Sequence, residues 1–197
     1  MAERRLIELT IDEENEELGV NAISIVERPA FSNTFVAFSE EHKQKFAEVN
    51  KEERLLAGAF LIPNKKVVRI DENHEEYDVF FSAETIKKMS QLYFKRNYQK
   101  NSNVEHREPF VGATVVESWI VEDSAKDKQQ VYGFNYPAGT WFGVMKIDNN
   151  AIWENYVKTG EVKGFSVEGM FKENEADFTE DQVIDELKKM LNEATGI

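Results

Sequence analysis

The 197-residue chain contains no cysteine. That excludes disulfides, thiolate nucleophiles and cysteine-ligated metals, and folding is expected to proceed unaided in a reducing compartment. No apolar run approaches the roughly 20 residues that a membrane-spanning helix needs, so no membrane partner is expected. The opening "MAERRLIELTIDEENEE" turns acidic at once and lacks an apolar signal core, so secretion is not expected. Net positive charge is missing as well. The formal charge is -13 at pH 7, and nucleic acid is a poor partner for such a chain. The plainer meaning of the acidity is solubility. A P-loop and a G-x-G-x-x-G are also missing, which leaves nucleotide binding unsupported.

What is present is a globular composition. Hydrophobic residues make up 41%, with 14 Phe, 6 Tyr and 3 Trp, enough for a real core in one domain. The patterning divides the chain into three parts. Residues 1–54 read as short strands and turns, "LIELTI" and "NTFVAFS" among them, followed by the charged stretch "EEHKQKFAEVNKEER" after Ser39, a polar helix or a linker. Pro29 holds Arg28 extended. Residues 55–172 read as an α+β core. "LLAGAFLIP", "KKVVRI", "YDVFF", "TVVESWIVED", "GTWFGVMKI" and "EVKGFSVEGMF" have strand length and strand composition. "SAETIKKMSQLYFKRN" switches to helical spacing, with Ser82 as N-cap and Ile86, Met89 and Tyr93 on one face. "NNAIWENYVKTG" reads as a short helix closed by Gly160. Residues 173–197 read as an amphipathic C-terminal helix. Thr179 is its N-cap, Gln182 completes a capping box, and Val183, Leu187 and Leu191 form an apolar stripe. Strands mostly follow strands, so the core is expected to be mainly an antiparallel sheet or barrel with a few peripheral helices.

Three histidines are available. His42 and His74 lie in charged segments and read as idle surface residues. His106 stands where a core strand gives way to a loop, a position that suits a site. Glu105, His106 and Glu108 are too closely spaced for a good metal centre, and "DENHEEYD" lacks the ligand spacing of an EF-hand, so no metal and no other cofactor is expected.

Ser166 lies between Gly164 and Gly169 in "KGFSVEGMF". Glu168 stands where a G-x-S-x-G elbow needs its second glycine, and a strand rather than a helix follows, so an α/β-hydrolase is not expected. On a strand Ser166, Glu168 and Met170 share one face, while Phe165, Val167 and Phe171 share the other. By periodicity alone this is a polar face on an edge strand. If Ser166 is a nucleophile, His106 is the one credible base. Glu117, Asp123 or Glu168 would be the third member, and backbone N–H groups near Phe165 and Val167 would bind the oxyanion.

"NSNVEH", "VVESWIVED", "PAGTWFGVMKIDN", "VKTGEVKGFSVEGMF" and "LLAGAFLIP", together with the opening "GVNAISIVERPAF", resemble the XkdF-like serine proteases of tailed phages. The resemblance covers residues 7–172. These proteins are grouped with the prohead maturation proteases, whose fold is similar to the herpesvirus assembly protease, an antiparallel β-barrel ringed by helices. The resemblance implies that residues 55–172 are a protease core and that His106 and Ser166 are the catalytic pair. No histidine follows His106, so the second histidine of the herpesvirus triad has no counterpart, and an acid or a dyad must serve. Glu117 ranks slightly above Glu168, because an imidazole has little room between Ser166 and Glu168 on one strand face. The implied work is cleavage of scaffolding protein, of capsid-protein extensions and of the chain itself, inside the procapsid in the host cytoplasm. The implied partners are scaffolding protein and the major capsid protein. Residues 172–197 suffice for one helix and not a long coiled coil, so scaffold is a separate chain or this chain is trimmed or truncated. Related viral proteases are activated by dimerisation, which makes a homodimer an expectation that nothing in this sequence specifies. The competing expectation is an inactive assembly factor on the same fold.

Overall fold

A computed structural model describes residues 4–27, 36–37, 53–106 and 111–175. The N-terminal segment supplies β1 (Leu6–Thr10), β2 (Gly19–Val26) and the two-residue β3 (Val36–Ala37). β4 (Leu55–Leu61), β5 (Val67–Ile70) and β6 (Glu76–Phe80) follow. Next comes α1 (Ala83–Lys95), then β7 (Ala113–Ile120) and β8 (Trp141–Ile147). A short helix α2 (Asn150–Ile152) continues as a π turn (Trp153–Val157) into β9 (Gly164–Met170) and β10 (Lys172–Glu175).

Local chemistry explains the helix as the sequence suggests. Ser82 Oγ accepts the Thr85 N–H at 3.3 Å, Glu84 pairs with Lys88 one turn on at 2.7 Å, and Ile86, Met89 and Tyr93 are wholly buried. Gly160 ends the second helical stretch at a positive φ of 72°.

The strands form three sheets, ordered β10-β1-β6-β5, β2-β9 and β3-β4-β8-β7. All pairings are antiparallel except β1 with β6. The α+β class with mostly strands therefore holds. The expected closed barrel does not, because among the described residues the ladders end at strand edges and never join into one ring. The main core lies between the sheets and α1, with Phe60 and Trp141 edge-on at 5.3 Å and Phe60 and Phe165 edge-on at 5.0 Å. A second apolar cluster covers the other face of β4 and β8, where Phe142 meets Tyr132, Phe134 and Tyr136.

Two long-range pairings tie the first two described strands to the last two. β2 pairs with β9 along its whole length, and β1 pairs with β10. The sequence patterning singles out no strand at β2, and β10 lies ahead of the Thr179 cap of the expected C-terminal helix. The helix expected after Thr179, His42 and the stretch following Ser39 lie outside the described residues. At the start of β2 the α1 cap residue Arg96 donates to the Leu18 carbonyl at 2.5 Å and the Asn15 carbonyl at 3.1 Å, fixing the entry turn. Opposite this turn, a Cβ on Gly169 would lie 2.1 Å from the Gly19 carbonyl oxygen, so only glycine lets the two strands meet there.

Candidate active site

β9 places Ser166 and Glu168 on one face, two residues apart. Its partner strand β2 sets Ser24 directly opposite Ser166 and Ala22 opposite Glu168. On the other side of β2 runs residues 101–105, a parallel extension held by three backbone bonds. Ile23 N–H donates to the Asn101 carbonyl, Ile25 N–H to the Asn103 carbonyl, and Glu105 N–H to the Ile25 carbonyl, all at 3.0–3.1 Å. His106 follows directly. β2 therefore separates His106 from Ser166, and the two do not sit on neighbouring strands.

Glu105 and His106 both have left-handed backbones, with φ of 54° and 55°. For residues with a Cβ this conformation costs about 1–3 kcal/mol each, so neighbours must enforce it. Glu105 is anchored twice. Its own N–H binds Ile25, and its carboxylate accepts the Glu27 N–H. The consequence is a histidine turned back across the sheet face.

His106 reaches across Ser24 to Glu168, with Nδ1 2.6 Å from Oε1. The same oxygen accepts from Ser24 Oγ at 2.8 Å and from Asn103 Nδ2 at 2.5 Å. Ser24 Oγ also lies 3.3 Å from His106 Nδ1. The crossing works because β2 offers only Ala22 and Ser24 beneath it, and any large side chain at position 24 would block it. Ser24 is completely buried, Asn103 is 5% exposed, and the Glu168 side chain is 32% exposed. Burial alone raises the Glu168 pKa, but the bonds from Asn103, Ser24 and His106 outweigh it and hold the carboxyl below its ordinary value.

A carboxylate at Nδ1 selects the imidazole tautomer with hydrogen on Nδ1, leaving the Nε2 lone pair as a base. His106, Ser166, Val167, Glu168 and Gly169 line one cleft of about 620 Å³, walled on its far side by Leu9, Tyr77, Val79 and Phe81. Ser166 is 3% exposed overall, so the expected polar face is inward at Ser166, where it opens on this cleft, and reaches solvent only further along, at Glu168 and Met170. Among the described residues Ser166 Oγ makes no hydrogen bond, to His106 or to any other group.

Strand alternation places the other expected groups. The Ile23 and Ile25 backbones face residues 101–105, so Ser24 faces β9, and the Val167 N–H points to the β9 edge that no strand among the described residues pairs. Phe165 is a core residue, 2% exposed and packed on Phe60. Glu117 sits on β7, where its carboxylate accepts from Lys128, and it contacts neither His106 nor Ser166. Asp123 pairs with Lys126 at 3.5 Å. Glu168, ranked below Glu117 on crowding, is the acid that meets His106. The crowding argument fails because the imidazole arrives from across β2 and does not wedge between residues 166 and 168. His74 occupies an exposed turn away from the site. Among the described residues no cluster of three or more metal-ligating side chains forms.

Sequence reasoning missed Ser24 and Asn103. A signal existed in "NAISI", where Ala22 and Ser24 alternate with Ile23 and Ile25, the pattern of a strand with an apolar side and a small-residue side.

A serine, a histidine and a carboxylate collected at one cleft are the residue set of the serine hydrolases. The chain belongs to the family described as "Putative phage serine protease XkdF", whose model matches residues 43–175 of 197. Neither the curated proteins nor the solved structures contain a match to the chain.

Proposed function

We propose that this protein is a serine endopeptidase in which Ser166 is the nucleophile, His106 the general base and Glu168 the group that orients the base. The observation carrying the proposal is the 2.6 Å bond between Glu168 and His106 Nδ1, which leaves Nε2 available as a base at the cleft that both His106 and Ser166 line. Nε2 takes the Ser166 hydroxyl proton as Oγ bonds to the scissile carbonyl carbon. The resulting oxyanion is held by backbone N–H donors on β9, Val167 foremost. The imidazolium returns its proton to the departing amine. Water, deprotonated by the same nitrogen, then cleaves the acyl-enzyme. The β9 edge that no strand among the described residues pairs suits an extended polypeptide lying along the cleft. Apo-state hydrogen bonds to a nucleophile are often long, and closure of Ser166 on Nε2 accompanies substrate binding.

The substrates that fit the family are scaffolding protein, capsid-protein extensions and the chain itself, cut within the procapsid in the host cytoplasm during prohead maturation. No cofactor takes part. The test is incubation with cognate scaffold and capsid protein, wild type beside Ser166→Ala, together with fluorophosphonate labelling and mass mapping. Cleavage and label are expected in wild type, with the label on Ser166, and both are lost in the variant. Equal cleavage by both proteins removes the proposal.

One observation favours a second reading, an inactive assembly factor that binds scaffold or capsid: Ser166 Oγ has no bond to His106. That reading requires co-sedimentation with procapsids that Ser166→Ala leaves intact, with no proteolysis by either protein.

A further inference from the structure

We propose that Ser24 and Asn103 are positioning residues that clamp the Glu168 carboxylate against His106, an inference that deepens the serine-peptidase reading and rests on it. Ser24 lies on β2, outside the stretch of residues 43–175 that matches the family. A glutamate with a third of its side chain in solvent has several rotamers open to it, and holding one costs conformational entropy. Two buried donors offset that cost here. Ser24 Oγ and Asn103 Nδ2 both address Oε1, the same oxygen that His106 uses, at 2.8 and 2.5 Å. Each donor is itself fixed by the backbone. Ser24 is locked in the β2-β9 ladder opposite Ser166, and the Asn103 carbonyl accepts the Ile25 N–H.

The geometry also separates Ser24 from the nucleophile's role. Its hydroxyl proton is given to Glu168, and the residue is completely buried beneath the histidine–glutamate crossing. Ser166, its partner across the ladder, opens on the cleft. Among the described residues few other charged groups lie near Glu168. Lys100 shares a hollow with it on one flank, and Arg69 and Glu173 line the cleft on the other. The Glu105 carboxylate is turned to the Glu27 N–H.

The test uses the full chain with Ser24→Ala, Asn103→Ala and Asn103→Asp. Two readouts are taken, the rate of fluorophosphonate labelling at Ser166 and the Glu168 carboxyl titration by carbon NMR. Each alanine variant is expected to label about 10- to 100-fold more slowly, the loss of one charge-assisted bond. Each should also raise the Glu168 titration midpoint. Asn103→Asp keeps the shape, removes the donor and adds a like charge, so it should slow labelling further and raise the midpoint more than Asn103→Ala. Wild-type labelling rates and an unmoved midpoint in all three variants overturn the clamp. The carboxyl titration reads the clamp in active and inactive protein alike. An unlabelled wild type therefore removes the peptidase reading, while the midpoint still decides whether Ser24 and Asn103 hold Glu168.

Discussion

Replacing Glu168 by glutamine keeps the size of the side chain and removes its charge. Three donors converge on Oε1, from Asn103 at 2.5 Å, His106 at 2.6 Å and Ser24 at 2.8 Å. A bond to a charged acceptor contributes about 1.5–3 kcal/mol and a neutral one about 0.5–1.5 kcal/mol. Three coupled bonds weakened together should cost about 2–4 kcal/mol of folding stability. Activity should suffer more. The amide does not stabilise an imidazolium, and its NH2 can turn toward Nδ1, selecting the tautomer whose Nε2 carries the proton. The equivalent aspartate-to-asparagine change in a serine–histidine–aspartate triad costs about 10⁴-fold, so Glu168→Gln should lose roughly 10³- to 10⁴-fold, about 4–5.5 kcal/mol of transition-state stabilisation. KM for cognate scaffold should stay within about 3-fold, because Glu168 touches the base and not the reacting bond. The assay is the second-order labelling rate at Ser166, which needs no knowledge of the cleavage site, followed by kcat and KM on scaffold. Glu117→Gln is the control and should label within about 2-fold of wild type, as its partner is Lys128. The reasoning is refuted if Glu168→Gln stays within tenfold of wild type, or if Glu117→Gln loses as much.

Because Glu168 has a folded-state pKa below the ordinary value of 4.5, its bonds add stability above that pH, and this stability disappears as pH falls through the folded-state value. Acid unfolding should show the difference between wild type and Glu168→Gln shrinking below about pH 4.5, and a constant difference down to pH 2 would contradict the assignment. Gly169→Ala should force β9 from the Gly19 carbonyl, lower stability by about 1–3 kcal/mol in urea unfolding and slow Ser166 labelling. A neutral result there would mean the close strand contact does not matter. Ser82→Ala removes the α1 cap and should cost about 1 kcal/mol, a melting shift of about 2–4 °C, with labelling unchanged.

Most core strands were legible because their apolar residues come in runs of strand length, and α1 because a cap precedes a 3.6-residue stripe. β2 was not, since "GVNAISIV" mixes two small residues into an apolar run and its partner β9 lies about 140 residues away in sequence. The same distance hid the site's assembly. His106, Ser166 and Glu168 could each be named from the chain, but the order of the acids depends on which strand lies between them. Glu117 has strand character and charge like Glu168, and only the pairing of β7 with β8 and of β9 with β2 separates a surface ion pair from the partner of His106. Closure of the sheets was equally out of reach, because ladder ends are set by register and by single pairings such as the parallel β1-β6.

The placement of β2 has a consequence in time. Residue 24 is made well before residues 166 and 168, and the carboxylate is gripped only when β2 finds β9. A ribosome-bound or half-made chain carries His106 with nothing to orient it. Under the proposed chemistry, proteolysis switches on only after β2 and β9 have paired, and a cut that frees the segment bearing β2 switches it off.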